Sequence, residues 1–294
     1  MADTAPPVWL LGAPFSGTCW LAGLLGSHPQ LYATPQLHLG LADDVAGLLD
    51  VFFHSQADHG DGLLRTVAEL ACGGQTDRGV AAARDWLQQR AALSTAALLQ
   101  ELARLAAPRR LVIPEGEAAI RLPELERLIA LAPQAAVVQV LRHPLTQGRL
   151  MVAWFVERLF VPVDYRDYAQ DPPQVEPQAP WLRAQLNLER LSQQQPLLRF
   201  SMESLDGGDA AASLSALCAS LGVDADVSLD GSRWSFAGPG PDAAPGGLEA
   251  DVLMDWPAEL SDASAPQLEG PLPWRADGGG FDPQVLRLAK QLGY

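Results

Sequence analysis

The chain has 294 residues, 48% of them hydrophobic, and a formal net charge of −15 at pH 7. That is apolar material for one large α/β domain or two small ones, and it excludes global disorder. The acidic balance excludes non-specific attraction to nucleic acid or to an anionic membrane.

Met1 to Pro7 is a short polar tail without a basic leader region, and no signal peptide is expected. Val8 to Leu11 is an apolar run too short for a helix and bounded by Gly12 and Pro14, which predicts a buried strand. Gly12 to Thr18 is a turn of mostly small residues. Beyond it Trp20, Leu21, Leu24 and Leu25 recur at helical spacing. Strand, tight loop and helix in this order leave the first helical amides facing one concavity, which suits a phosphate or sulfate. The loop lacks the Gly-Lys-Ser/Thr ending of a Walker A motif, so a kinase reading is disfavoured.

His28-Pro29 ends this helix, and an extended crossover is expected from Leu31 to His38. Gly40 to Phe53 has helical periodicity, and Gly60-Asp61-Gly62 interrupts it. Arg78 to Leu105 predicts one or two amphipathic helices, with Ser94-Thr95 a cap between them. Arg110 to Pro114 is strand-like and Leu122 to Leu131 helical. Ala135 to Leu141 is apolar on both faces, as in the middle of a parallel sheet. Arg142-His143-Pro144 ends it, and a helix is expected from Leu145 to Leu159. Val161 to Pro180 reads as a loop or lid, Trp181 to Gln195 as a helix and Pro196 to Phe200 as a strand. Asp209 to Leu221 reads as a helix closed by Gly222. Regular periodicity fades from Val223 to Pro273, and Asp282 to Leu292 forms a closing helix.

Strands alternate with helices and no hairpin signal appears. The expected fold is α/β, a parallel sheet covered by helices on both sides. The expected organisation is one domain over 1–294: a core at 8–222, an irregular Gly/Pro-rich segment at 223–280 and a closing helix at 281–294. Ligands in such sheets sit at the carboxyl ends of the strands. The first loop and the Arg142 turn both lie at such ends and are expected to face one pocket.

The order G-A-P-F-S-G-T-C-W-L, S-H-P and V-V-Q-V-L-R-H-P resembles the sulfotransferase family. The first stretch is similar to its 5′-phosphosulfate loop, usually P-[K/R]-S-G-T-[T/S]. The last is similar to the strand and arginine that open its 3′-phosphate site. Pro133 before that strand, L-L-R-F-S-M-E-S-L, and the ending W-R…L-R-L-A-K-Q-L-G-Y are further, weaker likenesses. The resemblance implies a P-loop-like parallel sheet and 3′-phosphoadenosine 5′-phosphosulfate as sulfuryl donor, with no metal. It implies that Phe15, Ser16, Gly17, Thr18 and Cys19 form the 5′-phosphosulfate loop. It also implies that Arg142 pairs with the 3′-phosphate, for which a planar guanidinium is suited.

Four departures stand out. Phe15 replaces the loop cation, and losing such a preorganised donor typically costs about 100- to 1000-fold in rate. Gln36 replaces the Glu of P-E-T-H-F, and glutamine cannot take a proton. Leu150 replaces the Ser that usually completes the 3′-phosphate site, and a family Lys falls at Glu117. Two readings stay open. In one, His38 serves as base and Arg149 or Arg121 as cation, and the chain transfers sulfuryl groups to a hydroxyl or amine of a small molecule. In the other, the chain keeps the fold, binds a nucleotide or a protein partner, and has lost the chemistry. Arg233-Trp234 is expected to anchor a loop or reach the adenine. Residues 40–105 and 155–185 are expected to form the acceptor pocket. Cys19, Cys72 and Cys218 are widely spaced and odd in number, which fits a reducing cytoplasm. No apolar run approaches the roughly 20 residues that span a bilayer.

Overall fold

A computed structural model describes residues 5–54, 59–156, 161–169, 171–205, 209–226, 229, 231, 233–236 and 267–294. Its centre is a five-stranded parallel sheet. The strands are β1 (Val8–Gly12), β2 (Leu31–Ala33), β3 (Arg110–Glu115), β4 (Ala136–Leu141) and, after two short strands outside the sheet, β7 (Leu198–Ser201). Their order is β2-β3-β1-β4-β7. β1 is wholly buried and pairs with β3 on one side and β4 on the other, with Gly12 opposite Val140. This burial explains why β1 and β4 read as continuous apolar runs rather than alternating ones.

Helix α1 (Thr18–Leu25) follows β1, and the chain then leaves the sheet for α2 (Val45–His54), α3 (Asp61–Ala71), α4 (Asp77–Gln88) and α5 (Thr95–Ala106). Ser94 caps α5, its side chain accepting from the Ala97 amide, as the sequence predicts. α6 (Leu122–Leu131) precedes β4 and α7 (Pro144–Phe155) follows it. α8 (Gln178–Ser192), α9 (Ala210–Leu221) and α10 (Pro283–Gln291) complete the helices used below. The chain passes from β1 outward to β2 and from β4 outward to β7, in opposite directions. The crevice between β1 and β4 is therefore the switch point where such sheets take ligands.

Two expectations are corrected. Residues 61–71 are helical, because Gly60 sits just ahead of α3 and only Gly62 lies within it. The stretch Val161 to Pro180 holds a small antiparallel pair, β5 (Arg166–Asp167) and β6 (Gln174–Val175), too short to give a hairpin signal. Most of Val223 to Pro273 lies outside the described residues.

Residues after the sheet brace it from outside. Trp234 is 5% exposed and donates its indole N–H to the Ala33 carbonyl, 2.9 Å away. Its ring fills the notch over Gly23 and Gly26 of α1, where any Cβ at Gly26 would overlap it. Trp234 is thus an anchor. Replacing Trp234 by Ala is expected to cost about 3–5 kcal/mol, read as a lower urea midpoint with an unchanged slope.

Candidate active site

The loop from Ala13 to Gly17 runs at the carboxyl end of β1. Phe15 and Gly17 both have left-handed backbones, at φ 65° and 94°. For phenylalanine that conformation is strained, and such strain collects at functional sites. Three contacts hold it in place. The Gln147 side-chain amide donates to the Pro14 carbonyl at 2.6 Å, and Arg142 Nη1 donates to the Phe15 carbonyl at 3.2 Å. The Phe15 ring meets Trp154 and Phe155 of α7 edge-on, with centroids 6.3 and 6.1 Å apart. Where the family's cation is expected, this chain has an apolar plug in α7.

Gly17 caps α1 without a side-chain hydrogen bond, and the first turn holds no acidic residue. The Ser16 side chain is 1% exposed and its Oγ has no hydrogen-bond partner among the described residues. A buried hydroxyl beside an uncapped helix start fits an absent anion. Thr18 and Cys19 open α1 and are buried, with Thr18 Oγ1 lying against Gly116 beyond β3.

Arg142 is 4% exposed at the end of β4. Its carbonyl accepts from the Trp181 indole at 3.2 Å while its guanidinium touches the loop. Loop and arginine therefore lie side by side, as the topology predicts. Leu150 is half-buried on α7, and Arg149 is exposed there.

The other flank lies beyond β3. The Gln36 side-chain carbonyl accepts from the Gly116 amide at 3.2 Å. His38 is left-handed at φ 53° and 5% exposed. Glu115, fully buried, accepts from the amides of Leu37 and His38 at 3.1 and 2.7 Å. His38 Nδ1 stands 3.8 Å from Glu115 Oε2. Burial lowers the His38 pKa to about 4, against an opposing pull from Glu117, so near pH 7 this contact is not an ion pair.

Sequence reasoning missed the partners of His38. His59 packs edge-on against it at 4.9 Å and places Nε2 3.7 Å from Glu117 Oε2. Glu117 accepts from the Tyr165 hydroxyl at 3.0 Å. Burial works to raise the Glu117 carboxyl, but His59, His38 and Tyr165 together hold it below the usual value. Arg121 stands on this flank, paired with Asp164 at 2.9 Å and Glu124 at 3.2 Å. Tyr165 also meets Phe155, so one continuous wall runs from the loop to these histidines.

The Sulfotransferase family model matches residues 6–225. The chain belongs to that family. Two solved structures share its fold. The sulfotransferase domain from the Synechococcus PCC 7002 olefin synthase is 20% identical, with 100% of this chain and 96% of that one covered at a TM-score of 0.69. The sulfotransferase domain from the curacin biosynthetic pathway is also 20% identical, with 99% of each chain covered at a TM-score of 0.68. No curated protein matches the chain. Among the described residues no helix is long and apolar enough to cross a membrane.

Burial also lowers the His143 pKa to about 4. For both histidines the unfolded chain takes up protons near 6.5, whereas the folded chain does so only near 4. The unfolded state thus binds more protons between those values, and stability falls as pH drops from about 6.5 to 4. His38 alone accounts for about 3 kcal/mol of that loss. Urea melts across this range are expected to show the decline, and His38→Asn is expected to flatten it.

Proposed function

We propose that this chain moves a sulfuryl group from 3′-phosphoadenosine 5′-phosphosulfate to a hydroxyl or amine of a small-molecule acceptor. The observation that carries the reading is the contact between the Arg142 guanidinium and the Phe15 carbonyl at the β1–β4 crevice, in a chain of this family.

The donor supplies the sulfuryl group and leaves as the 3′,5′-bisphosphate. The residues present fit its anionic ends. The uncapped α1 start, the Ser16 hydroxyl and the Thr18 hydroxyl would hold the 5′-phosphosulfate, with Phe15, Gly17 and Cys19 shaping the loop. Arg142 would take the 3′-phosphate. Leu150 offers that phosphate no hydroxyl. With no cation at position 15, Arg142 would bring positive charge to the loop, and it also holds the loop's shape through the Phe15 carbonyl.

The acceptor side is the flank of His38, His59, Glu117 and Tyr165. His38 is neutral near pH 7 and so has room for a proton, and Glu117 favours its charged form. Its proton gain would accompany attack of the acceptor oxygen or nitrogen on sulfur. The wall of Phe155 and Tyr165 favours an apolar or aromatic acceptor.

Two observations favour a second reading, binding without transfer. Phe15 is fixed among aromatic rings, and the Gln36 amide is engaged with Gly116.

Two measurements separate the readings. Calorimetry with 3′-phosphoadenosine 5′-phosphate is expected to show binding that Arg142→Ala weakens about 10- to 100-fold, the worth of a charged hydrogen bond. No binding by the wild-type chain sinks both nucleotide-based readings. Asparagine tolerates the left-handed backbone at position 38, so His38→Asn tests chemistry rather than folding. It is expected to lower kcat at least about 100-fold with nucleotide affinity unchanged. Turnover untouched by that change removes His38 as base, and binding without turnover over a broad acceptor panel supports the second reading.

A further inference from the structure

Arg142 is the last residue before the cap of α7, so its direction depends on what fixes the turn around it. His143 caps that helix, its Nδ1 accepting from the Leu145 amide at 3.0 Å. The His143 backbone amide donates to Glu203 Oε1 at 2.7 Å. Glu203 comes from the turn after β7. Its other oxygen accepts from the Ser201 hydroxyl at 2.6 Å and from the Tyr294 hydroxyl at 3.1 Å. The Tyr294 ring also lies edge-on against the His143 ring, 5.1 Å between centroids. Glu203 and Tyr294 therefore grip the residue next to Arg142 by its backbone and by its ring.

We infer that Tyr294, acting through Glu203 and His143, is a positioning residue for the Arg142 guanidinium and so for recognition of a 3′-phosphate. The inference rests on the reading of Arg142 as the ligand of that phosphate. Two hydroxyls occupy Glu203 Oε2, which keeps the carboxylate engaged. Without the phenol, Oε2 loses one of its two donors, and the carboxylate that holds the His143 amide is less firmly fixed. The turn that carries Arg142 then loses one of its two holds. Electrostatics place the phenol within reach of both charges. Burial and Glu203 push its pKa up, while Arg142 pulls it down.

The α10 segment that carries Tyr294 is itself fixed. The Asp282 amide donates to Gln178 Oε1 of α8 at 2.6 Å, and Asp282 caps α10 through the Gln284 amide at 2.7 Å. α8 also supplies Trp181, whose indole holds the Arg142 carbonyl. One helix thus fixes the arginine's carbonyl directly and the latch that steers its neighbour.

The test compares two nucleotides by calorimetry on the full chain, 3′-phosphoadenosine 5′-phosphate and 5′-AMP, which differ only in the 3′-phosphate. Their affinity ratio reads the Arg142 end of the site, and the affinity for 5′-AMP reads the loop end. Tyr294→Phe and Glu203→Gln are each expected to lower the ratio at least about fivefold while leaving 5′-AMP binding and Tm close to wild type. A ratio unchanged in both variants, when Arg142→Ala abolishes it, overturns the inference and leaves the function standing. Equal weakening of both nucleotides overturns it as well, because that is what general loosening produces. A wild-type chain with no preference between the nucleotides ends the reading of Arg142, and this inference with it.

Discussion

The loop after β1 depends on a carbonyl clamp. Nothing in its own sequence keeps Phe15 in a left-handed conformation, which an L-residue with a bulky side chain resists. The strain is absorbed from outside. Gln147 takes the Pro14 carbonyl, Arg142 takes the Phe15 carbonyl, and α7 takes the Phe15 ring. All three holds come from β4 and α7, the elements across the crevice. The two halves of the switch point therefore shape each other, and neither turn has its observed form alone. The same guanidinium that would meet a phosphate also maintains the loop that would meet the sulfate.

Two helices begin at this crevice, and they are treated differently. α7 is capped: His143 accepts from the first-turn amide of Leu145, and burial keeps that imidazole neutral and able to accept. α1 is left without a side-chain cap, and the nearby Ser16 hydroxyl is unspent. In a chain of net charge −15 the proposed anion would have to be drawn in by this local contrast. The long-range field opposes it, so short-range donors at α1 and one guanidinium must supply the attraction.

The sheet and this crevice were legible in the sequence because buried parallel strands are apolar on both faces and are punctuated by Gly and Pro. The proposed acceptor flank was not. His59, Glu117 and Tyr165 come from three distant segments, and no spacing rule links them. Glu115 was the exception that could have been found, since it closes a strand at the carboxyl edge of the sheet. Arg149 was one of two residues expected to supply the cation. α7 starts only at Pro144, so Arg142 lies outside its periodicity, and Arg149 is carried out to solvent. Phe15 was read as a missing cation, and its positive role, anchoring the loop in α7, was invisible without coordinates.

The residues after the sheet read as compositionally irregular, yet their few aromatics are placed where the site needs rigidity. Trp234 lies in the Gly23–Gly26 notch of α1, and Trp274 lies over Gly148 of α7, where a Cβ would overlap its ring. Trp274 is tied in turn to Glu176 by its indole N–H at 3.2 Å. Gly23 and Gly148 stand inside helices, where alanine is intrinsically better by about 1 kcal/mol, so close approach of an indole is what they supply. Each helix that carries one of the two turns is therefore braced on its outer side by a tryptophan. Preorganisation of donors at the crevice needs such outside support, because a strained loop and a clamped arginine hold their geometry only when the helices behind them cannot move apart.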